Sequence, residues 1–243
     1  MKLLQCVLVA FATAAAAVAA APGEPAAGLA SELSRALKTY DAEAATAVLS
    51  RARAAAGGGE DGPMLELRVE AGLAVAELLR IEFEETPADE RAVRTNLGQR
   101  IDAAAEEALG LIDDLPVSSE RYRMEADLVA TMIRSDFRAR KYRDRLEAAT
   151  ARALDLDPDN ARAWVTAAKP FVFAEAEHGG DLDEAVRLLD RALELEPGLE
   201  SALLLRALAH ERRGDSALAA ADRRSALAAN PDCEPARRAL GGG

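Results

Sequence analysis

Aromatic residues make up only 4% of this 243-residue chain, and cysteine and histidine occur twice each. Each shortage excludes something. Two cysteines cannot form the disulfide framework that staples a small secreted domain. His178 and His210 are the only histidines, so no H-E-x-x-H pair exists. Paired cysteines and G-x-S-x-G are missing too, which leaves zinc-hydrolase and serine-hydrolase sites without their residues. β-Branched residues are sparse, and no stretch alternates as a half-buried strand does. Basic residues are the minority, 30 against 42 acidic ones, for a net charge of −12. A chain of that sign repels phosphate and is not a general binder of nucleic acid or of anionic membrane.

What is plentiful is alanine, with leucine, glutamate and arginine. These residues lose little freedom in helical φ/ψ, and half of the chain is hydrophobic. The expectation is an all-α protein.

Residues 1–21 read as a leader. Lys2 supplies a positive start, and Leu3 to Ala20 is apolar apart from Gln5 and Thr13. Ala17-Val18-Ala19 and Ala19-Ala20-Ala21 offer the small residues that signal peptidase cuts after. A retained anchor fits less well, because the run barely reaches the ~20 residues a bilayer needs and is built of alanine. The expected location is periplasmic or secreted, with no membrane insertion of the mature chain. Cys6 leaves with the leader, and Cys233 then has no intrachain partner. Loss of Lys2 takes the net charge from −12 to −13.

Two stretches near the end share a grammar, "HGGDLDEAVRLLDRALELEP" and "RRGDSALAAADRRSALAANP". Gly180-Asp181, Ala185, Ala192-Leu193 and Pro197 return as Gly214-Asp215, Ala219, Ala226-Leu227 and Pro231, each 34 residues later. A 34-residue period is that of a helix–turn–helix repeat. Glycine ends one helix in the left-handed conformation, and aspartate caps the next, with Glu184 placed to complete a capping box on Asp181. Leu182, Ala185, Val186, Leu189, Ala192 and Leu193 share one helix face. The prolines stop the second helix.

These residues resemble the tetratricopeptide repeat (TPR), in the form found in exported bacterial proteins. Leu203, Ala207, Ala219, Ala226 and Pro231 fit its pattern, whereas Arg206, His210 and Arg223 depart from it. In the preceding unit Trp164, Ala168, Phe171, Ala185, Leu189, Ala192 and Pro197 fit. The resemblance is strong over 158–231. It implies an α-α superhelix, a TPR-like solenoid of about five helical hairpins stacked in one domain, 22–240. The hairpins fall at 29–56, 64–116, 118–158, 160–197 and 199–231, with 241–243 as a tail. Pro158 precedes Pro197 by 39 residues, so five extra residues lie before Gly180. Pro170 is expected to interrupt the helix there, projecting Phe171, Phe173, Glu175 and His178.

Other motifs have plain readings. Gly57-Gly58-Gly59-Glu60-Asp61-Gly62 satisfies G-x-G-x-x-G, but a helix precedes it and its acids would repel a pyrophosphate, so it is a linker. The pairs Glu84-Glu85, Glu106-Glu107 and Asp113-Asp114 point about 100° apart on a helix and are solvated faces. Arg138–Arg145, "RARKYRDR", reads as a polar turn complementing the acidic segment 82–90, or as a docking spot for an acidic partner.

The resemblance implies a non-enzymatic exported scaffold that binds a protein or peptide in a concave groove, without cofactor, metal or catalytic residues. The groove is expected from helices near 120–137, 160–173 and 199–212, through Arg134, Trp164, Lys169, Phe171, Arg206 and His210, with Phe173 and His178 as its lip. The alternative is a small-ligand-binding accessory subunit of a periplasmic solute transporter.

Overall fold

A computed structural model describes residues 24–55 and 62–241. The leader 1–21, Cys6 and residues 57–61 of the glycine run lie outside the described residues, as do 242–243. Among the described residues the protein is all-α: eleven α-helices and no strand. The chain divides into two compact units. One runs up to Val117 and includes Met124–Leu146; the other holds Ser118–Arg123 and everything from Glu147 on.

The unit that begins the chain contains α1 (Glu24–Lys38), α2 (Ala42–Ala55), α3 (Gly62–Glu85) and α4 (Arg91–Leu111). It also contains most of α5 (Ser119–Met132) and the first part of α6 (Asp136–Leu156). Asp41 caps α2, accepting the Ala44 N–H at 2.8 Å. From Met64 to Arg80, α3 is buried on nearly every side, Leu65, Val69, Ala71, Leu73, Val75, Leu78 and Leu79 among its residues. A helix apolar around its whole circumference must be enclosed, and α1, α2 and α4 all pack on it. The crossing with α4 is close at Gly72. A Cβ there would stand 2.8 Å from Ala108 Cβ and 3.2 Å from the Ala104 carbonyl oxygen. Alanine on one helix and glycine on the other set that distance.

The other unit contains α7 (Ala161–Phe173), α8 (Leu182–Leu195), α9 (Glu200–Arg213), α10 (Ser216–Ala229) and α11 (Glu234–Gly241). Asn160 caps α7, accepting the N–H groups of Arg162 and Ala163 at 3.1 Å each. Ala161, Val165, Ala168 and Val172 of α7 form a core with Ala185, Leu188, Leu189 and Ala192 of α8 and Leu199, Ala202, Leu205 and Ala209 around α9. Leu182, Val186 and Leu193, expected on the buried face of α8, are only half-buried at its border. Cys233, in the turn before α11, is 0% exposed.

Several local expectations need correction. Pro170 does not interrupt α7, which runs on to Phe173. A proline in the last turn removes one hydrogen bond, and the burial of Val172 in the core holds the remaining turn in place. The left-handed glycine ahead of α8 is Gly179, at φ +96°, not Gly180. Gly180 is needed instead because a Cβ there would lie 2.1 Å from the Ala174 carbonyl oxygen. Asp181 caps α8 through the N–H groups of Asp183 and Glu184, but no capping box forms. Its own N–H donates to the Phe171 carbonyl at 3.1 Å, and Glu184 turns to Arg187 instead. Gly214 is left-handed as expected, at φ +89°, yet the Asp215 side chain caps nothing and meets Arg213 at 3.2 Å.

Candidate functional site

In the later unit α7 packs on both α8 and α9, so the first helices of successive hairpins lie side by side. Trp164, Lys169, Phe171, Arg206 and His210 are thereby brought onto two adjacent helices. Trp164, Ala167 and Phe171 fall three and four residues apart on α7, half-buried against the core. The Trp164 indole N–H donates to the Pro158 carbonyl at 2.8 Å, which fixes the ring across the start of the helix.

Arg206 holds two carboxylates. Its Nε and Nη2 grip Asp222 of α10 at 2.9 and 2.7 Å, and its Nη1 donates to Asp190 of α8 at 2.6 Å. The hydrogen bonds from Asp222 raise the guanidinium above its already high ordinary value. His210 is buried one turn along, its Nε2 3.9 Å from Asp222, with Nδ1 enclosed and unbonded. Arg223 of α10 pairs with Glu211 in the same hairpin. Lys169 is also buried.

The segment after α7 is tied down. Gly180 N–H donates to the Glu175 carbonyl at 2.9 Å, and Arg212 bonds the Val172 carbonyl and lies 3.6 Å from Glu175. Phe173 packs at the core border, whereas His178 is exposed, 3.9 Å from Glu177.

Arg134 lies in the other unit, with partners there. Its Nη2 donates to Asp102 at 2.7 Å and to the Gly98 carbonyl at 3.1 Å. It is one of four arginines that complete helix ends. Arg80 donates to the carbonyls of Ile133 and Thr131 past the end of α5, at 2.7 and 3.3 Å. Arg138 takes the Met132 carbonyl at 3.2 Å and both oxygens of Asp102 at 2.9 Å. Arg94 donates to Phe83 and Thr86, the last carbonyls of α3, each at 2.7 Å, with its guanidinium 4.0 Å from the Phe83 ring centre. Burial lowers Arg80 below the usual arginine value, partly offset by Glu84. Last-turn carbonyls carry partial negative charge, and cations there stabilise the helix. The sequence gave no signal for this cluster, because its members sit on different helices.

The basic run is helical, not a turn: all of Arg138–Arg145 lies within α6. Its acid partners are Asp102 for Arg138 and Glu125 for Arg145, rather than the segment 82–90. A helix with basic residues at several registers turns some inward and leaves others out.

No family model matches the chain, and no curated protein matches it. Among solved structures it is similar to YrrB, described as a TPR protein with an unusual peptide-binding site. The match has a TM-score of 0.41 at 15% identity and covers 86% of this chain and 97% of that one. A likeness of that size carries no functional information. Among the described residues, no helix is long and apolar enough to cross a membrane.

Proposed function

We propose that the chain is an exported, non-enzymatic scaffold that binds a protein or peptide along α7 and α9. The observation that carries this reading is the half-covered stripe Trp164, Ala167 and Phe171, lying beside the α9 residue Arg206. Aromatic anchors next to an arginine are the combination that concentrates binding energy at interfaces. Arg206 is already oriented by Asp190 and Asp222, so little freedom is lost when its edge meets a ligand. Export rests on Lys2, the apolar run after it and the two small-residue cleavage sites.

A photo-crosslinking amino acid at position 164 tests the groove, compared with one at the exposed Val93. One protein should be captured at 164 and not at 93, and Phe171→Gln should reduce its yield at least about tenfold. Equal capture at both positions, or capture insensitive to Phe171→Gln in a chain of unchanged helicity, refutes the reading. Export is checked separately by mass spectrometry of the mature N-terminus, which should begin near residue 20 or 22.

A further inference from the structure

The outward side of α6 is a second surface, sharing no residue with α7 or α9. Phe137, in the first turn of α6, is 70% exposed, an unusual condition for the largest apolar side chain in that helix. Arg140 and Lys141 follow three and four residues later and so lie beside it, and Arg143 continues the positive edge. All three cations are exposed. Arg138 and Arg145, seven apart on the inward side, are consumed by Asp102 and Glu125. Arg140 and Arg143 make no ion pair, and Lys141 meets only the neighbouring Tyr142, at 3.0 Å.

The geometry points to a docking surface for an acidic peptide segment that carries a large apolar residue. The apolar residue seats on Phe137, and the flanking carboxylates meet Arg140, Lys141 and Arg143. Charge decides the class of partner. The whole chain carries −12, so an extended polyanion such as nucleic acid or an anionic bilayer meets repulsion over most of the protein. A short peptide feels only charges within a Debye length of about 8 Å, where the local balance is positive. A second copy of this chain fits poorly. Its acidic segment 82–90 has Phe83 stacked under Arg94 and Glu84 paired with Arg80, leaving no large apolar side chain to seat on Phe137.

The test uses the full-length chain and a fluorescent peptide of about twelve residues, rich in glutamate with two leucines, read by anisotropy. A glutamine-for-glutamate peptide, single-stranded DNA and phosphatidylglycerol vesicles serve as competing probes. The acidic peptide should bind, more weakly as salt rises, and the glutamine peptide at least about tenfold less. The triple reversal R140E/K141E/R143E should cost about tenfold or more, and Phe137→Ser several-fold, both with unchanged helicity. Trp164→Gln should leave this binding intact, which separates it from the α7–α9 reading. No binding of the acidic peptide, equal binding of the glutamine peptide, preference for DNA or vesicles, or indifference to the triple reversal overturns the proposal. So does a dimer that dissociates on the triple reversal while no peptide binds.

Discussion

The hairpins α7–α8 and α9–α10 share one grammar and solve their interiors differently. Their N-caps set the correspondence: Asn160 precedes Leu199 by 39 residues, and Asp181 precedes Asp215 by 34. On that register Ala167 and Leu188 of the first hairpin become Arg206 and Asp222 of the second. Val172 and Leu189, both 0% exposed, become Glu211 and Arg223. One hairpin is closed by apolar packing and the other by two ion pairs. An ion pair inside a protein is a weak contributor as a whole, yet costly to break from one side, since the surviving charge is stranded. The second hairpin therefore has positional demands that its apolar twin lacks.

The largest expected effect comes from stranding a charge. Arg206→Ala leaves Asp222, 6% exposed, without its bidentate partner and should cost about 3 kcal/mol in urea unfolding. Adding Asp222→Leu, which copies the Ala167/Leu188 pair, should recover most of the loss. A double variant as unstable as the single one would show that the hairpins are not interchangeable inside.

The turns come next. Gly180→Ala puts a Cβ 2.1 Å from a backbone oxygen that cannot swing away, and should cost about 2–3 kcal/mol. Gly214→Ala has open space and suffers only its positive φ, about 1–2 kcal/mol. The reverse order would mean that the 174–181 turn relaxes easily. Below these lie the caps. Asp181→Ala should lose about 1 kcal/mol, while Asp215→Ala, which caps no N–H, should stay within about 0.5 kcal/mol.

The mildest effect concerns acid. Burial pushes the Glu120 carboxyl up, but Arg123, Arg162 and the Asn160 amide outweigh it and hold it below the usual carboxylate value. A depressed folded value means stabilisation that is complete above the unfolded pKa of about 4.3 and lost as pH falls through the folded one. Glu120→Gln should flatten that acid limb in a pH series of thermal melts, leaving the neutral region with a smaller, pH-independent change.

The all-α architecture was legible because its signals are local. Alanine-rich composition, proline stops and glycine–aspartate turns act within a few residues, and the eleven helices carry them. Even there the choice between Gly179 and Gly180 was not readable, since it depends on where the Ala174 carbonyl comes to lie. The candidate site was legible only as a set of positions. Trp164 and Phe171 announce themselves as rare aromatics at helical spacing. What Arg134 and Arg206 do was hidden, because Asp102 and Asp222 reach them through packing between helices, 32 and 16 residues away in sequence. Chain distance of that size leaves no pattern in a window the length of one helix.

Cys233 has a practical consequence. With no surface exposed, its sulfur is beyond the reach of alkylating reagents and of another molecule's thiol while α11 stays docked on α10. The rate at which a maleimide or Ellman's reagent consumes it is therefore a clock for detachment of the last helix. Read at rising urea, that clock tells whether the end of the molecule frays before the rest or goes with it.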